Sequence, residues 1–341
     1  MNKTTTTTTV ASTRDDVSIS LSLAPYELNV YFGMFIWITG NIGCIGNAIV
    51  FNSRMFANQA YARYLFCQAI QDFIYFNFVF MSRVVQKGFR VPLTTKYLAF
   101  CRIRQFYTFW GNQISFNSFV FATMDRILAT QRSTNLRNWS NRVTLSYKMV
   151  AGSMLFWFLF IGHRLIWYQL SDGNCGPPPG IYATWDEWFE NATSAVLPPI
   201  LMFLLAFLLR RSVHHVIQRR IQPTTNQNKT VLEQMSSKLS LMLLLQCIIV
   251  VITYVPYSVE LAYTSIRQYY SKTPYEKARD KVFTELTHLL AYIFFQSSFY
   301  VSLFTNTGFR QQIKHLLGMK KLIDLSTTKH LPTTIHIQTN V

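Results

Sequence analysis

Residues 121–130 read FATMDRILAT. An acid and an arginine, Asp125 and Arg126, stand side by side at the end of a long apolar, aromatic run that begins near residue 100. A helix needs about 20 mostly apolar residues to cross the hydrocarbon core of a bilayer, and this run is long enough. The charge pair then falls at the edge of a low-dielectric slab.

Six further runs of this kind lie at about 29–52, 61–83, 147–170, 194–217, 237–264 and 282–305. Only helices suit runs this long, because lipid offers no partner to an exposed backbone group. The expected fold class is an all-α membrane protein, a seven-transmembrane helix bundle. Residues 1–27 read as an N-terminal tail, 28–305 as the bundle, and 306–341 as an amphipathic helix with a tail. In GFRQQIKHLLGMKK, Phe309, Ile313, Leu316 and Leu317 share one helical face opposite cations, as in a short eighth helix lying on a membrane surface.

Composition agrees. Half the residues are hydrophobic and 14% are charged, against roughly 25% charged in soluble domains. The net charge of +17 could suggest nucleic acid, but few soluble nucleic-acid binders are this apolar. Lys/Arg-rich cytoplasmic loops fit better. Asn47, Asp72, Asn112, Ser115, Asn117, Gln246 and His288 fall inside the runs and are expected to face the bundle interior. The polar N-terminus, with threonines from Thr4 to Thr9, has no basic segment followed by an apolar core. The first run is therefore expected to act as the insertion signal.

Seven spans put the two termini on opposite sides. One set of loops holds Arg54, Arg63, Arg132, Arg137, Arg142, Lys148, Arg210, Arg211, Arg219, Arg220, Lys229 and Lys238. The opposite set has Arg83, Lys87, Arg90, Lys96, Arg102 and Arg104, but also an acidic loop with Asp172, Asp186, Glu187 and Glu190. The balance puts the N-terminus outside. The sequons at Asn2 and Asn191 are then outside, where glycans can be added, and those at Asn138 and Asn228 inside. Five cysteines form no CxxC or Cys/His cluster, which argues against zinc.

Counting back 25 residues from Arg126 reaches Cys101, and a single Cys175 lies in the loop between the fourth and fifth runs. Gly46-Asn47 stands in the first run, Asp72 in the second, Trp157 in the fourth, Pro198-Pro199 in the fifth, Pro256 in the sixth and Phe309-Arg310 after the seventh. In order and spacing these resemble the rhodopsin-like (class A) G-protein-coupled receptors over about residues 28–318. The chain departs from that pattern at Tyr254, where the family has tryptophan. It departs again at Ile127 and at Ser298-Phe299-Tyr300-Val301-Ser302, which replaces NPxxY.

The resemblance implies a receptor that binds an extracellular ligand and activates a heterotrimeric G-protein, with no enzymatic activity. It implies a Cys101–Cys175 disulfide, consistent with an oxidising exterior. It implies that Asp125 holds Arg126 until activation frees the arginine for the G-protein. The family's second acid, low on helix six, is Ser236 here, so basal activity is expected to be high. Asp72, Ser115 and Ser298 would form a sodium site; alternatively, Asp72 is protonated and hydrogen-bonded. Thr108, Asn112, Tyr254, Tyr257, Ser258, His288 and Tyr292 would line the ligand cavity.

Thr108 stands where amine receptors have an aspartate, and Tyr292 where opsins have the retinal lysine, which argues against both ligands. A peptide, a lipid or another small molecule remains, with a peptide favoured. The six cations from Arg83 to Arg104, with no acid among them, either attract an anionic ligand or acidic peptide or reach for lipid phosphates. Ser326, Thr327 and Thr328 could be phosphorylated for arrestin, and Thr339-Asn340-Val341 matches a PDZ-type ending. The competing reading is a seven-span transporter or channel, which would call for paired repeats with broken helices. None is evident. A membrane enzyme would need clustered ligands, and the adjacent His214 and His215 cannot share a helical face.

Overall fold

A computed structural model describes residues 19–54, 56–131, 135, 139, 140, 142–171, 174–220, 227–267, 270–316 and 318; the side chains of 174, 213–220, 227–237 and 316 lie outside that description. Among the described residues the chain forms seven long helical rods. The first is Ile19–Phe51, the second 60–87, the third Leu98–Ala129, the fourth Val143–Trp167, the fifth 181–220, the sixth Gln227–Arg267 and the seventh 274–305. A short helix, Thr307–Leu316, follows. Single π-helical turns interrupt the first, second and fifth rods at Leu28–Phe32, Phe76–Phe80 and Asn191–Val196.

Local sequence accounts for these boundaries. The seventh rod opens with a capping box: Thr273 Oγ1 accepts from the Glu276 N–H, and Glu276 Oε2 accepts from the Thr273 N–H. Pro274 follows at the first helical position, where its missing N–H costs nothing. The rod bends by 41° between Pro274–Ala291 and Ile293–Thr305.

Four helices are long and apolar enough to cross a membrane by length and composition: Ile19–Phe51, Val143–Trp167, Ile181–Ser212 and Lys238–Arg267. The bent pair in the seventh rod makes a fifth if counted as one span. Their outward faces are apolar. Ile38, Ile42, Ile45 and Ile49 form one exposed stripe, as do Phe203 and Phe207 on the fifth rod. Stripes like these suit hydrocarbon better than water. The protein is thus helical, with several segments able to span a bilayer.

The expected seven spans are not all reached on this measure, for a physical reason. The second and third rods turn their polar residues inward. Gln68, Gln71, Asp72, Asn112, Gln113, Ser115, Asp125 and Arg126 are all buried. That polar interior lowers mean hydropathy without exposing charge to the surroundings. The third rod is central and packs against the second, fourth, fifth and sixth. An aromatic core joins it to the sixth and seventh: Phe116 stacks on Phe294 at 4.4 Å and meets Tyr254 edge-on at 4.9 Å. At Gly40 the first rod comes so close to Phe76 that an added Cβ would lie 2.6 Å from its ring.

Several helices run beyond the predicted spans, the sixth (Gln227–Arg267) and seventh (from Pro274) among them. The first starts by Ile19, within the segment read as a tail, and the fifth starts at Ile181, within the segment read as an outer loop. A two-stranded antiparallel hairpin, β1 (Gln169–Ser171) and β2 (Asn174–Gly176), is a small exception to an all-α fold. It pairs Leu170 with Cys175 and carries that cysteine to the third rod, where it is disulfide-bonded to Cys101 with a Cα–Cα distance of 5.8 Å. Phe309 of the short last helix is fully buried against Phe51 and Phe299, so this residue packs into the core instead of facing a membrane surface.

Candidate functional site

A cavity of about 250 Å³ opens at the disulfide end of the bundle. Six of the seven predicted lining residues do line it: Thr108, Asn112, Tyr254, Tyr257, His288 and Tyr292. The seventh, Ser258, is not among the lining residues. Its Oγ donates to the carbonyl of Ala195 at 2.5 Å and contacts that of Tyr254 at 2.9 Å, which fastens the sixth rod to the fifth. One residue on from Tyr257, it is rotated about 100° around the helix.

The cavity's polar groups hold one another in place. Tyr254 donates its hydroxyl to Asn112 Oδ1 at 3.2 Å. The His288 ring meets Tyr257 edge-on at 4.8 Å, and its Nε2 lies 3.5 Å from Glu260 Oε2. Thr108 Oγ1 donates back to the Arg104 carbonyl, a local bond within its own helix.

Sequence reasoning missed the cavity's charged members. Arg83, Arg104 and Glu190 also line it. In the sequence they read as charges of the outer loops and their flanks, because helices that outrun their apolar runs look like loops in a hydropathy scan. Arg83 forms an ion pair with Glu285, which also accepts from Asn29 at 3.1 Å and lies 3.6 Å from Lys87. Arg104 donates from Nε to Ser82 Oγ at 2.8 Å.

Glu190 pairs at 2.7 Å with Arg164, whose long side chain is fully buried. Arg164 also meets both carboxylate oxygens of Asp186, at 3.1 and 3.0 Å, and lies over the Phe109 ring at 4.6 Å. A buried charge must be paired to be tolerated. This network does that while joining the fourth rod to the outer part of the fifth.

At the opposite end of the third rod, Arg126 donates to Asp125 Oδ2 at 2.6 Å, with both side chains buried. Sequence reasoning did not find the third party: the Arg126 guanidinium lies 4.3 Å over the Tyr61 ring of the second rod. The side chain of Ser236, read as the missing second acid, lies outside the described residues.

Midway along the bundle, Ser115 Oγ donates to Asp72 Oδ1 at 2.6 Å, both fully enclosed. Ser298 is buried but forms no hydrogen bond with either among the described residues. The structure thus brings Asp72 and Ser115 together, with a carboxylate and a hydroxyl in direct contact. No group of three or more His, Cys, Asp or Glu able to hold a metal occurs among the described residues.

Asn191 falls in the π-helical turn of the fifth rod and its Nδ2 donates to Ser265 Oγ at 3.3 Å. Its sequon is therefore on helical backbone with the amide engaged, not on the loop expected of a glycan acceptor. Asn2, Asn138, Ser326 to Thr328, Thr339 to Val341 and the side chains of Asn228, His214 and His215 lie outside the described residues. Compared with known proteins, the chain matches no family model and no curated protein.

Proposed function

We propose that the protein is a seven-span receptor of the plasma membrane, with its N-terminus outside. It binds an extracellular ligand, a peptide being favoured over a small molecule, and activates a heterotrimeric G-protein. One observation carries the reading. A single 32-residue helix, Leu98–Ala129, bears the disulfide at one end, lines the cavity through Arg104, Thr108 and Asn112, and ends in the Asp125–Arg126 couple. At 1.5 Å per residue, Thr108 and Asp125 are roughly 25 Å apart along its axis.

Such a helix is anchored at one tip and held by a breakable charge couple at the other. Ligand contacts on Thr108, Asn112 and Tyr254 act on the third and sixth rods together. Movement between those rods changes what Arg126 packs against. Once released from Asp125 and Tyr61, the guanidinium is a free donor for the G-protein, and phosphorylation of the tail would recruit arrestin.

The test is a pooled peptide and metabolite screen on cells expressing the full chain, read by G-protein activation. The expected result is ligand-evoked activation that Arg126→Ala abolishes at equal surface level. A ligand-evoked current with no G-protein response would instead support a channel or transporter.

A further inference from the structure

The cavity's charges are almost all matched in pairs. Arg83 has Glu285, and Glu190 shares Arg164 with Asp186. Arg104 is the exception. Among the described residues no carboxylate oxygen lies within 4 Å of it, and its one side-chain hydrogen bond runs from Nε to the neutral Ser82 hydroxyl. The side chain is half-buried, on the cavity wall.

We propose that Arg104 is an anion subsite and that the cavity's ligand presents a single carboxylate to it. Binding itself is independent of the receptor reading; only the signalling step after binding rests on it. A half-buried guanidinium without a counter-charge is stabilised by one, and its planar fork matches a carboxylate through two parallel bonds. Ser82 holds Nε and so fixes the fork's orientation, leaving the two terminal nitrogens for the ligand.

Two further features narrow the class. Glu190 faces the same cavity and repels a second negative charge, which favours a monoanion over a polyphosphate. The wall beside the subsite is aromatic: Tyr75 stacks on Phe295 at 4.7 Å and meets Tyr292 at 5.9 Å. That surface accepts a flat or apolar body. A small aryl-alkanoic acid and the free C-terminus of a peptide ending in an aromatic residue share this chemistry.

The test uses the purified full chain in detergent and binding measured without any G-protein. One arm is a panel of aryl-alkanoic acids with their matched primary amides. The other is a panel of N-acetylated dipeptides ending in Phe or Trp, as free acids and as C-terminal amides. In at least one arm the acids are expected to bind about tenfold or more tighter than the amides, a gap near 1.4 kcal/mol. Arg104→Gln is expected to erase that difference. Arg102→Gln, whose native Nε donates to the Tyr168 carbonyl outside the cavity, is expected to keep it.

Equal binding of acids and amides, an acid preference that survives Arg104→Gln, or no acid bound in either arm at 10 mM (roughly −2.7 kcal/mol, the weakest binding the assay reads) overturns the subsite. Acid binding without any G-protein response leaves the subsite standing and removes the receptor reading. Failure of the acid–amide comparison together with ligand-evoked G-protein activation that Arg126→Ala abolishes does the reverse.

Discussion

The Tyr254 hydroxyl donates to Asn112 Oδ1 across 3.2 Å and ties the sixth rod to the third at the edge of the cavity. Its ring is also packed edge-on against Phe116 and Phe294. The two roles separate by mutation. Tyr254→Phe keeps the ring and orphans the Asn112 oxygen, at a cost of about 1–2 kcal/mol. Tyr254→Ala also empties the ring's space and costs about 3–5 kcal/mol. Thermal unfolding in detergent is expected to rank the variants in that order.

Arg164 is tested by leaving its acids behind. Arg164→Met leaves buried Asp186 and half-buried Glu190 without their guanidinium and is expected to cost about 3–5 kcal/mol. Adding Asp186→Leu and Glu190→Gln to the same chain is expected to recover much of that loss. Equal unfolding temperatures for the single and triple variants would contradict a charge-pairing role.

The Cys101–Cys175 bond closes a loop with a sequence separation of 74. On the chain-entropy account such a crosslink contributes about 4 kcal/mol. Cys101→Ser with Cys175→Ser is expected to unfold at markedly lower temperature than wild type, and reductant is expected to lower the wild-type value alone.

Tyr61 supplies a ring under Arg126, and among the described residues its own buried hydroxyl has no hydrogen-bond partner. Tyr61→Phe therefore keeps the contact and removes an unsatisfied group. Tyr61→Ala loses a cation–π contact worth about 1 kcal/mol. On the receptor reading, ligand-free G-protein signalling is expected to stay level in the first variant. In the second it is expected to rise roughly fivefold, the ratio that goes with about 1 kcal/mol.

Much of this arrangement is legible in the chain. The runs of apolar residues mark where the rods lie, and the Cys101 to Arg126 spacing marks both ends of the central one. What escapes is whatever depends on helices continuing past their apolar stretch. Ile181–Glu190 carries two Trp, Asp186, Glu187 and Glu190, a composition that reads as a loop, yet it is helix anchored by Arg164. Arg83 and Arg104 read as surface cations because hydropathy cannot tell which way a charge at a helix end points. Tyr61 carries no local sign of its role, since its partner is 65 positions away in the chain. Ser258 fails as a cavity residue through rotation alone: one step along a helix turns a side chain from the cavity to the neighbouring rod.

On the receptor reading, Arg126 transmits and Asp125 restrains. Ligand-free G-protein activation, measured at matched surface level in wild type and Arg126→Ala, tests this without knowing the ligand. Wild type is expected to signal above untransfected cells and the variant to fall to their level. Equal ligand-free signalling from the two would overturn it.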